Sequence, residues 1–232
     1  VVTNQAAGAA PTHADLALGI AELQLGEYEN AVGRLGRVAE VLPGSTRAKV
    51  WHARAAFQAG RLAKSQASFA AALRAEPDHS GARAAIALTK LRRGNLNGAA
   101  GDLLKFDALV KANPKDVSNK DAALAEFARS VVFRSAGEDA KATGAYEQAI
   151  RLDPENPLFP FGLGQWLNDN YRFKEALAPL RKAVSQDPNQ SVYRVELAEA
   201  EMRNGNWKKA EEQIGKAEQM TPALVGAKLA RA

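Results

Sequence analysis

Three histidines, His13, His52 and His79, are the residues best suited to metal binding or proton transfer, and the chain has no cysteine. None of the three has a metal-ligand neighbour three or four residues away, the spacing that puts two ligands on one helical face. Without cysteine there are no disulfides, thiolate metal sites or thiol nucleophiles, and both cytoplasm and periplasm remain compatible compartments. Gly60 to Ser65 (GRLAKS) has the ending of a phosphate-binding loop but lacks its second glycine and does not follow a strand, so nucleotide binding is rejected. Gly162 to Gly164 (GLG) lies inside a helical stretch and is no dinucleotide turn. Asp153 and Glu155 flank Pro154, where acidic residues at a helix end need no catalytic reason. Asn189-Gln190-Ser191 is a formal glycosylation triplet and is read as silent. No serine, histidine and aspartate combine into a nucleophilic set. The expectation is a non-enzyme without metal or cofactor.

The elements that would position any site show in three interleaved series. Pro43 and Pro77 are 34 residues apart, as are Pro154 and Pro188, and Pro188 and Pro222. Gly26, Gly60, Gly94, Gly137 and Gly205 each lie about 17 residues before a proline or its expected place. Between glycine and proline comes a small residue: Ala31, Ser65, Ala99, Ala142, Ala176 or Ala210. Segments before each glycine, such as THADLALGIAELQL, have helical and not alternating periodicity. Glycine takes the left-handed conformation that ends a helix. A second helix follows, as in YENAVGRLGRVAEVL, and proline stops it. Small residues let the paired helices approach. Helices of roughly 12–15 residues are marginal alone in water, so each hairpin must bury its apolar face on the next.

This pattern resembles the tetratricopeptide repeat (TPR) family. Repeats starting at Thr12, Thr46, Ser80, Ala123, Pro157 and Ser191 place a small residue at repeat position 8 (Gly19, Ala53, Ala87, Ser130, Gly164, Ala198). Position 24 then holds Leu35, Phe69, Leu103, Tyr146, Leu180 and Ile214, and the match covers about nine-tenths of the chain. Departures include Tyr171 in place of glycine in the fifth repeat and Asp139 at position 17 of the fourth. The expected fold is all-α, a right-handed α-solenoid superhelix of stacked antiparallel helix hairpins. Its expected organisation is a leader at 1–11 and six repeats at 12–45, 46–79, 80–122, 123–156, 157–190 and 191–222. The third carries an insertion near 111–121, about nine residues, expected as a long second helix and a polar loop to Asp121 where a hinge can sit. Residues 223–232 are expected to start a capping helix or a truncated repeat.

In the family, positions 2, 5, 9 and 12 of each first helix line a concave groove. The resemblance places there Leu16, Ile20 and Leu23; Arg47, Val50, Arg54 and Phe57; Leu88 and Leu91; Phe127, Val131 and Arg134; Phe161, Gln165 and Asn168; and Val195, Glu199 and Met202. Positions 9 and 12 are expected to be the more exposed. Position 5 is apolar in every repeat, so the family's carboxylate clamp, which needs lysine there, is absent. An apolar lining near Arg47, Arg54 and Arg134 suits an unidentified protein or peptide partner with hydrophobic anchors and acidic residues.

The net charge is only +5, from 31 basic and 26 acidic residues, and the basic residues are scattered apart from pairs such as Arg92–Arg93 and Lys208–Lys209, so no nucleic-acid partner is expected. No apolar run is long enough to span a membrane. The start at Val1 is read as a piece cut from a longer protein, and the Ala/Arg/Gly-rich usage as a bacterial source. The function expected is a non-catalytic scaffold in a bacterial multiprotein assembly for pilus formation, secretion, motility or polysaccharide export. A regulatory peptide-sensing arm of a larger enzyme or transcription factor, or self-assembly through the repeat ends, stand as alternatives.

Overall fold

The computed structural model describes residues 13–221 and Ala223; the leader and residues 224–232 lie outside the described residues. Among these the chain forms twelve α-helices and no strand. They are α1 (His13–Gln24), α2 (Tyr28–Val41), α3 (Thr46–Gln58), α4 (Leu62–Ala75), α5 (Ser80–Arg92) and α6 (Leu96–Ala112). After a 3-10 turn at Pro114–Asp116 follow α7 (Asn119–Ser135), α8 (Asp139–Leu152), α9 (Leu158–Asp169), α10 (Phe173–Gln186), α11 (Ser191–Arg203) and α12 (Trp207–Met220). The chain divides into two compact units, Val1–Ala128 and Arg129–Ala232, with the division inside α7.

Each hairpin turn is the same device. The residue two past each first helix sits at positive φ: Gly26, Gly60, Gly94, Gly137 and Gly205 at 72–81°, and Tyr171 at 60°. The next residue's N–H then reaches back to a carbonyl of the last helical turn. Glu27 N bonds Glu22 O, Arg61 N bonds Ala56 O and Arg172 N bonds Leu167 O, at 2.7–2.9 Å. This satisfies a carbonyl that the helix end would otherwise leave open. Five glycines adopt the turn without steric cost; the tyrosine does not.

Close packing follows from the small residues. Ala31, Ser65, Ala99, Ala142, Ala176 and Ala210 are all at most 3% exposed. At repeat position 8 the approach is tighter still. A Cβ added to Gly164 would lie 2.4 Å from Leu180 Cγ, and one added to Gly19 would lie 2.7 Å from Leu35 Cγ.

In the first unit, Leu16, Val32, Leu35, Val38, Ala48, Ala55 and Ala56 form one core cluster, joined by Ile20, Leu23 and Trp51. A second gathers Val50, Ala53, Phe69, Ala72, Ala82 and Ile86, with Leu124 of α7 against it. In the second unit, Trp166 and Tyr146 are each about 1% exposed and their rings are 6.2 Å apart. Buried carboxylates are paired between neighbouring helices: within the third hairpin Asp102 meets Lys90 at 2.6 Å and Arg83 at 3.8 Å, and between two hairpins Glu201 meets Arg181 at 2.6 Å.

One local difference from the sequence reading has a physical cause. The loop expected to reach Asp121 ends earlier, because Ser118 Oγ accepts from Asp121 N (3.1 Å) and caps α7, which begins at Asn119. The preceding helix, α6, has 17 residues against 14 in each other second helix.

Candidate functional site

The residues assigned to the groove fall into three situations. Position 5 is largely part of the core: Leu16, Val50 and Val195 are 5–7% exposed, while Phe127 and Phe161 are half-buried. Positions 9 and 12 were expected to be the open ones, and two are not. Leu88 is 8% exposed, packed within α5, whose buried residues run from Ser80 to Thr89. Asn168 is 5% exposed because its Nδ2 donates to Glu196 O (3.0 Å) and Oε2 (3.3 Å). Glu196 also accepts from Gln165 Nε2 at 3.4 Å, so these two amides are engaged by α11. Phe161 lies against Tyr193 with ring centroids 4.4 Å apart, and burial is the main cause raising the Tyr193 phenol above its usual pKa, with Asp187 adding to it.

The third group keeps accessible surface. Ile20, Leu23, Arg54, Phe57, Leu91, Val131, Glu199 and Met202 are half-buried, and Arg47 and Arg134 are exposed. Phe57 carries the Arg92 guanidinium over its ring at 4.6 Å.

Arg47, Val50 and Arg54 converge on one feature, a cavity of about 280 Å³ in the first unit. Thr46 and Trp51 complete its α3 wall, and Glu76 and His79 close it from the turn between α4 and α5. Arg47, Trp51 and Arg54 stand at i, i+4 and i+7 of α3, so they share one helical face. The Arg54 guanidinium lies 5.0 Å from the centre of the Trp51 ring. Neither Arg47 nor Arg54 makes an ion pair with a described residue. His79 is not free to act as a ligand through Nδ1, which accepts from Ala82 N (3.3 Å) and caps α5. Ligand pockets for whole small molecules run from about 300 to 1,000 Å³. This cavity is at the lower bound, the scale of a side chain or two. Two guanidinium groups beside an indole suit a carboxylate carried on an apolar stem.

Trp51 was not among the residues assigned from the family's groove positions. Its signal was in the sequence all the same, as an aromatic with arginines four before and three after.

His52 is a packing residue: Nδ1 pairs with Ser68 Oγ at 3.0 Å. Burial, assisted by Lys64 and opposed by Glu40, holds its pKa below the usual imidazole value. Among the described residues no cluster of three or more His, Asp or Glu side chains is arranged to hold a metal ion, and no helix is long and apolar enough to cross a membrane.

Comparison with known proteins bears on this arrangement. Family models described as tetratricopeptide repeat match residues 22–91 and 167–231, more than half of the chain, and a second of the same description matches 128–191. No curated protein sequence matches significantly. Among solved structures, the thermophilic TPR protein TTC0263 of Thermus thermophilus is 23% identical with a TM-score of 0.68, over 82% of this chain and 98% of that one. PilF of Pseudomonas aeruginosa is 14% identical with a TM-score of 0.63, over 94% and 96%. The human IFIT1 dimer with PPP-AAAA is 21% identical with a TM-score of 0.72, over 91% of this chain and 50% of that one. The chain thus spans about half the length of IFIT1. At these identities the likeness shows the fold alone. TPR proteins are generally non-catalytic scaffolds that bind protein partners. The repeat turns, the packed small residues and the family models agree: this chain belongs to the tetratricopeptide repeat family.

Proposed function

We propose that this chain is a non-catalytic interaction scaffold that binds a polypeptide segment on the first-helix face of its first unit. The observation carrying this reading is the cavity beside α3, where Arg47 and Arg54 face open space around Trp51 without ion-pair partners among the described residues. An acidic side chain of the partner enters there, and apolar side chains rest along Phe57, Leu91 and the rim of Ile20 and Leu23. In the second unit Val131, Arg134, Glu199 and Met202 keep accessible surface on their first helices, while Phe161 is half-buried and Val195 is buried.

The assembly served is proposed to be a bacterial multiprotein machine of the pilus, secretion, motility or polysaccharide-export kind. The fold's likeness to PilF of a bacterium, with 94% of this chain covered, supports a bacterial scaffold of this fold. The RNA in the IFIT1 structure belongs to that protein. Here the scattered basic residues favour a protein partner over nucleic acid.

The test is affinity capture from the source organism with the wild-type chain and with Arg47→Glu/Arg54→Glu as baits, each checked for native helicity by circular dichroism. Loss of the captured proteins in the charge-reversed bait is expected. An unchanged set of captured proteins would move the site off α3.

A further inference from the structure

One of the six hairpin turns is built on the wrong residue for its backbone. Gly26, Gly60, Gly94, Gly137 and Gly205 hold the left-handed position elsewhere, and Tyr171 holds it between α9 and α10 with φ of 60°. The turn is otherwise unchanged: Arg172 N still bonds Leu167 O at 2.9 Å, as Asn206 N bonds Glu201 O in the next repeat. A bulky L-residue is strained in this region, whereas glycine is not. Core packing does not account for the tyrosine, whose side chain is 83% exposed. Strain kept at an accessible surface position, where five sister turns show the unstrained solution, points to a role in contact with something else.

The surroundings say what that something is. Tyr171 stands edge-on to Phe173, ring centroids 6.0 Å apart and planes at 88°. Phe173 in turn carries the Arg203 guanidinium at 5.7 Å, which ties this turn to the following one. Beyond Arg203 that turn delivers Trp207, 66% exposed at the start of α12. Residues 169–175 and 203–209 hold Arg172, Lys174, Arg203, Lys208 and Lys209 against Asp169 and Glu175. Arg172 is committed to Glu175 at 2.7 Å and is also within the field of Asp139; the other four basic residues make no ion pair with a described residue. Aromatic anchors set among basic residues are the composition of an interface core and rim.

We propose that this turn edge of the second unit is a docking surface for an acidic polypeptide segment bearing aromatic side chains, separate from the first-helix face. The positive balance selects an acidic partner. The perpendicular rings of Tyr171 and Phe173 offer clefts for side chains and no continuous flat platform for successive bases, which favours polypeptide over single-stranded nucleic acid.

The chain's three tryptophans make the test site-specific, since Trp207 is on this edge, Trp51 lines the first-unit cavity and Trp166 is about 1% exposed. Their indole N–H signals are followed by NMR on the full chain during titration with a random copolymer of glutamate and tyrosine, with polyglutamate, and with oligothymidylate. The proposal expects the Trp207 signal to move with the copolymer by more than that of buried Trp166, which meets this edge through the Arg172 guanidinium 5.6 Å from its ring centre, and polyglutamate to bind more weakly by about tenfold or more. Tyr171→Gly, which relieves the strained turn, should keep the Trp166 signal and a melting temperature no lower than wild type, yet weaken copolymer binding by a similar factor. Trp207→Ala should do the same to the copolymer affinity measured by isothermal titration calorimetry, while the indole N–H signal of Trp51 reads the other site. A still Trp207 signal, unchanged affinity in Tyr171→Gly, or oligothymidylate acting as strongly as the copolymer each overturns it. Movement of Trp51 alone overturns it too, and instead supports binding at the first-helix face.

Discussion

Replacing Gly164 by alanine sets two opposed effects against each other, and the structure decides the sign. Alanine stabilises a helix interior by about 1 kcal/mol over glycine. At Gly164, inside α9, the new Cβ would meet Leu180 Cγ at 2.4 Å and Cδ2 at 2.7 Å, and Leu180 is 0% exposed with nowhere to retreat. Overpacking of this kind costs about 1–3 kcal/mol, and a contact so far inside van der Waals distance belongs at the upper end. The expected net loss is therefore about 2 kcal/mol. Gly144 in α8 provides the control: it is exposed, helical and has no heavy atom near its hypothetical Cβ, so Gly144→Ala should gain about 0.5–1 kcal/mol. Urea unfolding followed by far-ultraviolet circular dichroism measures both. Truncating the obstacle sharpens the test, because in a Leu180→Ala background Gly164→Ala should turn from destabilising to stabilising, a coupling of about 2–3 kcal/mol. If Gly164→Ala and Gly144→Ala change stability in the same direction, the packing of position 8 on position 24 is not what holds each hairpin together.

Asp102→Ala should cost about 3 kcal/mol in urea unfolding, since it strands Lys90 and Arg83 beside a 5%-exposed site, and a loss below about 1 kcal/mol would mean the pair acts as a surface one. Because the folded state holds the His52 pKa below its reference value of 6.5, the unfolded chain binds the proton more readily, and this contribution to stability is lost as pH falls through about 6.5. His52→Leu should flatten the fall of the urea midpoint between about pH 7.5 and pH 5, and an unchanged profile would rule out His52 as its cause. Arg54→Glu should weaken capture of a partner while leaving the urea midpoint within about 0.5 kcal/mol of wild type, as expected of an accessible side chain.

The fold was readable because its signals are backbone requirements. A left-handed turn wants glycine, a close helix approach wants alanine, and both recur in register, so Gly26 and Ala31 announce their hairpin without any knowledge of the neighbours. Exposure of groove residues depends on those neighbours, which is why the same reading failed at Leu88 and Asn168. The first is covered by packing around α5, and the second is drawn to Glu196 on the next first helix. Trp51 was missed for a related reason: family positions say where a side chain points on average, not that two arginines on the same stripe of α3 would frame it. Arg83 and Arg194, which carried no signal of their own in the sequence, donate to the carbonyls of Pro77 (2.7 Å) and Pro188 (3.0 Å) and so tie each repeat to the turn that precedes it.

The central claim is that a polypeptide binds the first-helix face beside α3. Its most direct test is site-specific photo-crosslinking in the source organism, with a benzoylphenylalanine placed at Phe57 on α3 or at exposed Ala67 on α4. Binding beside α3 predicts a discrete protein adduct from Phe57 that disappears on Arg47→Glu/Arg54→Glu, and none from Ala67. An adduct from Ala67 alone, or one from Phe57 indifferent to the two arginines, would contradict it.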